Sequence, residues 1–105
     1  MQKILIVEDD RELNRTICYT LKKEGYDIYS AYSVCEAKAI YRQEKMELIL
    51  LDVNLPDGEG FSLCGWMKGQ SEVPVLFLTA RDLEEDALEG YGSGAEDYIT
   101  KSAWF

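Results

Sequence analysis
LILLDVNLPDG, residues 48–58, is the stretch that decides the fold. Four apolar residues, Leu48 to Leu51, run without alternation straight into Asp52. A strand reads this way when both of its faces are covered, as in a parallel sheet with helices on either side. Leu55-Pro56-Asp57-Gly58 is turn chemistry, because Pro presets φ and Gly relieves the backbone, so the strand ends at the acid.

Working outward, the same pattern recurs. Ile4-Leu5-Ile6-Val7 is an apolar run ended by Glu8, Asp9 and Asp10, and Val75-Leu76-Phe77-Leu78 follows Pro74. Residues 27–31 and the pair Tyr98-Ile99 complete a set of five expected strands. Helical stripes lie between them. Leu13, Ile17 and Leu21 repeat every four residues, with Asp9 or Asp10 at the start and Gly25 where a left-handed cap belongs. Ser33-Val34-Cys35-Glu36 has the form of a capping box, followed by a stripe of Val34, Ala37, Ile40 and Tyr41. Phe61, Cys64, Met67 and Lys68 predict a helix over residues 59–69. Asp82-Leu83-Glu84-Glu85 opens a fourth helix, with Leu83, Ala87, Leu88 and Tyr91 on one face. Strands separated by single helices imply right-handed βαβ units and a parallel sheet covered on both sides.

Composition narrows the function. The 105 residues hold 11 Lys and Arg against 20 Asp and Glu, a net charge of −9, and no His. Histidine-based triads, His-ligated metals and histidine pH switches are therefore excluded. The acidity argues against nucleic-acid binding, which needs clustered Lys and Arg. No apolar run approaches the ~20 residues that span a bilayer, and the start MQKILIVEDD does not resemble a signal peptide. The expected location is the cytoplasm. Cys18, Cys35 and Cys64 are odd in number and lack a C-x-x-C spacing, so buried free thiols are expected rather than a disulfide or zinc site. The sequon at Asn14-Arg15-Thr16 is a weak signal inside a helical pattern.

In an open parallel sheet, functional groups collect beyond the carboxyl ends of the strands, where the winding reverses. Glu8, Asp9 and Asp10 follow the first strand, Asp52 the third, Thr79 the fourth and Lys101 the fifth. One acid at a strand end is usually a helix cap or a solvated loop residue, but such a gathering repels itself without a cation. Mg2+ suits it, since that ion takes oxygen ligands, keeps several waters and needs only one or two carboxylates. A carboxylate beside it can attack phosphorus and form an acyl phosphate. Lys101 would pair with a phosphate oxygen and Thr79 would offer a hydroxyl; phosphoryl transfer needs little more than such positioning and charge.

The segments Ile4-Leu5-Ile6-Val7-Glu8-Asp9-Asp10, Leu50-Leu51-Asp52-Val53-Asn54-Leu55-Pro56-Asp57-Gly58, Leu78-Thr79-Ala80-Arg81 and Gly94-Ala95-Glu96-Asp97-Tyr98-Ile99-Thr100-Lys101 together resemble the receiver domain of two-component response regulators. The resemblance covers nearly the whole chain. It implies a flavodoxin-like doubly wound α/β fold with strand order 2-1-3-4-5. It also implies that Asp52 accepts a phosphoryl group from a sensor histidine kinase. Asp9 would ligate Mg2+ directly, Glu8 mainly through water, and Asn54 through its backbone carbonyl, while Asp10 would cap the helix. Thr79 would bond the phosphoryl group, Lys101 would pair with it, and Tyr98 would move inward on activation or else serve as edge packing. The motifs look most like receivers joined to winged-helix DNA-binding domains, which implies control of transcription in a longer protein.

The pattern departs after Lys101, where family members usually place Pro, Phe and a fifth helix and this sequence reads Ser102-Ala103-Trp104-Phe105. The expectation is a domain truncated by that helix, with an apolar face left open to self-association and partly filled by Trp104 and Phe105. Two rival functions use the same residues differently. A Mg2+-dependent aspartyl-phosphate phosphatase would carry an acid where Asn54 stands, and a phosphate-independent interaction domain would not need Asp52 at all. Gly90-Tyr91-Gly92-Ser93-Gly94-Ala95 fits G-x-G-x-x-A, but it follows a helix and precedes a strand, the reverse of the dinucleotide context. The protein is therefore not expected to be an enzyme beyond its own phosphorylation and slow dephosphorylation.

Overall fold
The computed structural model describes residues 2–79 and 97–104. Five strands form one parallel sheet: β1 (Lys3–Val7), β2 (Asp27–Ala31), β3 (Leu48–Asp52), β6 (Val75–Thr79) and β7 (Asp97–Thr100), in the order β2-β1-β3-β6-β7. Two short strands, β4 (Asn54–Leu55) and β5 (Gly58–Glu59), pair antiparallel in a separate hairpin after β3. The five expected strands are all present and in the expected order, each within a residue or two of its reading. The helices are α1 (Arg11–Lys23), α2 (Val34–Gln43) and α3 (Gly60–Lys68), and a 3-10 turn spans Lys101–Trp104. The helix expected from Asp82 and the glycine segment 90–95 lie outside the described residues.

Strand alternation divides the core in two. Leu5, Val7, Ile49, Leu51, Val75 and Phe77 face α2 and α3, where they pack with Leu63, Cys64 and Met67. Their neighbours Ile4, Ile6, Leu50 and Leu78 face α1 and meet Leu13 and Ile17. This period of two is what an uninterrupted apolar run becomes when both sheet faces are covered. Trp104 packs on the α1 side of the sheet, against that second cluster. Phe105 lies outside the described residues.

Local signals act as their chemistry dictates. Asp10, rather than Asp9, caps α1 by accepting hydrogen bonds from the Glu12 and Leu13 amides. Gly25 ends α1 at φ 95°, and the amides of Gly25 and Tyr26 donate to the Lys22 and Leu21 carbonyls. Ser33 caps α2 through the Glu36 amide, while the Glu36 carboxylate reaches back to the Tyr32 amide instead of that of Ser33.

One expectation is corrected. Cys18 and Cys64 are buried, but Cys35 is exposed, because it stands in the first turn of α2 on the side facing away from the sheet. Asn14, the acceptor position of the sequon, has its side chain buried inside the fold while Arg15 beside it is exposed.

Candidate functional site
The register of the sheet assembles the site. Val7 lies opposite Leu51, so the next residues, Glu8 and Asp52, leave adjacent strands side by side. Asp52 is opposite Leu78, and Thr79, opposite Thr100, leads to Lys101 one step beyond. The topological reversal falls between β1 and β3, so the carboxylates stand where this architecture places its ligands.

Oxygen atoms of Glu8, Asp9 and Asp52 lie within 4.8 Å of one another. Glu8 and Asp52 are buried, whereas Asp9 is exposed and opens the cluster to solvent. The Lys101 ammonium lies 2.8 Å from Glu8 Oε1 and 3.4 Å from Asp52 Oδ2. Glu8 Oε2 accepts a 3.0 Å hydrogen bond from the Asp10 amide, and Asp52 Oδ1 accepts one of 3.3 Å from the Asn54 amide.

Burial pushes the Glu8 carboxyl up to about 7 despite the opposing pull of Lys101 and the Asp10 amide, with Asp52 and Asp9 adding to the rise. Burial likewise raises Asp52 against the stabilising effects of Glu8, Lys101 and the Asn54 amide. Burial draws Lys101 down, but the Glu8 hydrogen bond and the Asp52 and Glu8 charges outweigh it and its pKa is raised.

Three expected residues, Glu8, Asp9 and Asp52, thus form one carboxylate cluster, and Lys101 reaches it. Thr79 is buried at the adjacent strand end, and Asn54 sits two residues past Asp52 with its amide turned onto the Asp52 carboxylate. Tyr98 is half-buried and packs against the core on the α2 and α3 side. The donor set is oxygen-only, with one exposed and two buried carboxylates converging, and this fits a hard divalent cation such as Mg2+.

Two supports went unread in the sequence. Asn14, fully buried, donates from Nδ2 to the carbonyls of Glu8 (3.0 Å) and Ala31 (3.3 Å), while its Oδ1 accepts from Ser30 Oγ (2.9 Å) and Cys18 Sγ (3.2 Å). One amide therefore ties the ends of β1 and β2 to α1 and fixes the backbone that carries Glu8. Its signal was an Asn on the apolar face of α1, one residue from Leu13 and four from Cys18. Gly60 is the second. A Cβ there would overlap the Asp52 carbonyl and come within 3.0 Å of Val53 Cα, so only glycine lets α3 start directly against the end of β3. Its amide donates to the Val53 carbonyl at 2.7 Å.

Comparison with known proteins agrees with this geometry. Residues 4–104 match the family described as the response regulator receiver domain. The BeF3-activated N-terminal receiver domain of RstA from Klebsiella pneumoniae is 35% identical, over 96% of this chain and 86% of that one, with a TM-score of 0.87. The non-phosphorylated HemR receiver domain from Leptospira biflexa is 37% identical, over 96% and 82%, with a TM-score of 0.84. Chemotaxis protein CheY4 of Vibrio cholerae is 31% identical, over 96% and 87%, with a TM-score of 0.89.

Proposed function
The chain belongs to the response regulator receiver domain family, and from that premise we propose that it is the phosphoacceptor switch of a two-component system, with Asp52 as the acceptor. The observation that carries this reading is the meeting of a buried Asp52 with Glu8, Asp9 and the Lys101 ammonium at the carboxyl edge of the sheet.

The donor in this reading is a phosphohistidine of a sensor kinase. An Asp52 oxygen attacks phosphorus, a P–O bond forms, and the P–N bond breaks with its electron pair left on the imidazole nitrogen, which is then protonated by solvent. Asp9, Asp52 and the Asn54 carbonyl would hold Mg2+, with Glu8 acting through water. When bound, the ion screens the charge on the phosphoryl oxygens. Lys101, already between Glu8 and Asp52, needs only a short movement to pair with a phosphoryl oxygen, and the Thr79 hydroxyl donates to another. Tyr98 carries the change outward as a local charge event biases a packed element.

The protein acts on itself once per phosphoryl group rather than turning over an external substrate. In this reading the output of the switch is a DNA-binding domain, and the acidic receiver, at a net charge of −9, leaves the nucleic-acid contact to it. Among the described residues no helix is long and apolar enough to cross a membrane. Phosphotransfer from a labelled, autophosphorylated histidine kinase tests the reading. Label should pass to the wild type, be released by hydroxylamine as an acyl phosphate is, and be absent from Asp52→Asn. Label that persists on Asp52→Asn would refute the assignment.

A further inference from the structure
The hairpin that follows the acceptor is pinned at both ends. At its base, Asn54 pairs with Glu59 and Leu55 with Gly58, and the Gly60 amide closes onto the Val53 carbonyl. At its tip, both Asp57 carboxylate oxygens leave the hairpin and accept from the first amides of α2, Oδ1 from Val34 at 2.7 Å and Oδ2 from Cys35 at 3.0 Å. These are charge-assisted bonds at the positive end of a helix. The two amides hold the Asp57 carboxyl below the usual carboxylate range. The fit is close, since a Cβ on Gly58 would lie 3.1 Å from Val34 Cγ2.

At the start of α2 the work is divided: Ser33 Oγ accepts from the Glu36 amide, and the Asp57 carboxylate takes the Val34 and Cys35 amides before it. A cap supplied from 23 residues away in sequence also fastens the hairpin that carries it. We propose that Asp57 is a positioning residue: by fastening the tip of residues 54–59 to α2, it presets the backbone of Asn54 beside Asp52 before any cation binds. The inference rests on the reading of the site as a Mg2+-dependent acceptor.

Calorimetric titration with Mg2+ alone separates positioning from general stability. A hairpin that is preset only part of the time binds with an affinity reduced by that fraction, so Asp57→Ala should weaken Mg2+ binding by about fivefold or more. Asp57→Asn, which keeps one carbonyl oxygen as an acceptor, should fall between Asp57→Ala and the wild type. Ser33→Ala removes the helix's own cap without touching the hairpin. It should lower the melting temperature while leaving the Mg2+ affinity within about twofold. Unchanged Mg2+ affinity in folded Asp57→Ala, or an equal loss in Ser33→Ala, would overturn the inference. If Asp57→Ala does not fold, Asp57→Asn decides it on the same criterion. A wild type that binds no Mg2+ would instead bring down the reading of the site, and this inference with it.

Discussion

Lys101 Nζ lies 2.8 Å from Glu8 Oε1, so the last strand of the sheet is bound to the first by an ion pair whose carboxylate is wholly buried. The same ammonium reaches Asp52 at 3.4 Å and, among the described residues, is the cation that offsets two buried acids in the metal-free protein. Removing one partner of such a pair leaves an uncompensated charge, which costs more than the pair itself contributes. Because the Lys101 side chain is partly solvated, Lys101→Ala should destabilise the metal-free protein by about 2 kcal/mol near pH 8, below the range for fully buried pairs. At pH 5 the loss should shrink, since the acids can take up a proton instead. Urea unfolding at both pH values checks this, and an equal loss at each would contradict it.

The Glu8 carboxyl at about 7, raised by burial, sets the sign of a pH dependence. The folded protein binds this proton more tightly than the unfolded chain does, so from about 4.5 to 7 the metal-free fold loses stability as pH rises. The effect is on the order of 2–3 kcal/mol. Asp57, held low by the α2 amides, works in the opposite direction, contributing stability that disappears as pH falls through the acid range. Glu8→Gln should flatten the slope between pH 5 and 7, and Mg2+ should reverse it in the wild type. Thermal unfolding across pH, with and without Mg2+, reads both effects.

Asn14 satisfies two carbonyls from different strands and accepts from Ser30 and Cys18 in a buried setting. Asn14→Ala would take from the Glu8 carbonyl its side-chain donor, while Ala31 keeps the Glu8 amide and Ser30 and Cys18 keep each other, and should cost about 1–3 kcal/mol, more than an exposed helix position would. Because one of the carbonyls belongs to Glu8, Mg2+ binding should weaken as well. Denaturant unfolding and Mg2+ titration of the variant test the two parts separately.

Gly60→Ala places a methyl group on the Asp52 carbonyl, where only backbone movement relieves the overlap. The expected result is a folded but less stable protein whose Asp52 phosphorylates at least about tenfold more slowly, since a displacement near 1 Å in such a site is felt strongly. Gly65→Ala, at a helical position with no neighbour within 4 Å, is the control and should leave phosphorylation unchanged.

Much of this was legible in the sequence because the signals were local. The runs Ile4–Val7 and Leu48–Leu51 read as doubly covered strands, and the acids behind them fell at the winding reversal by topology. Capping by Asp10, Ser33 and Gly25 followed from residue chemistry within one turn. What escaped reading depends on groups distant in sequence meeting in space. Asn14 reads as a polar interruption of an apolar face until β2 is brought beside it. Asp57 reads as a turn residue until α2 arrives at its carboxylate. Gly60 reads as an ordinary helix start until the Asp52 carbonyl is placed against it. The exposure of Cys35 escaped for the reverse reason, as general cysteine burial outweighed its place in the first turn of α2.

Asp52 as phosphoacceptor is decided by intact-protein mass after incubation with a small-molecule phosphodonor, with and without Mg2+, on wild type and Asp52→Asn, with circular dichroism confirming that both are folded. One added phosphoryl group is expected on the wild type, only when Mg2+ is present, and none on Asp52→Asn. Addition that persists in folded Asp52→Asn, or no addition to a folded wild type with Mg2+, would contradict that assignment.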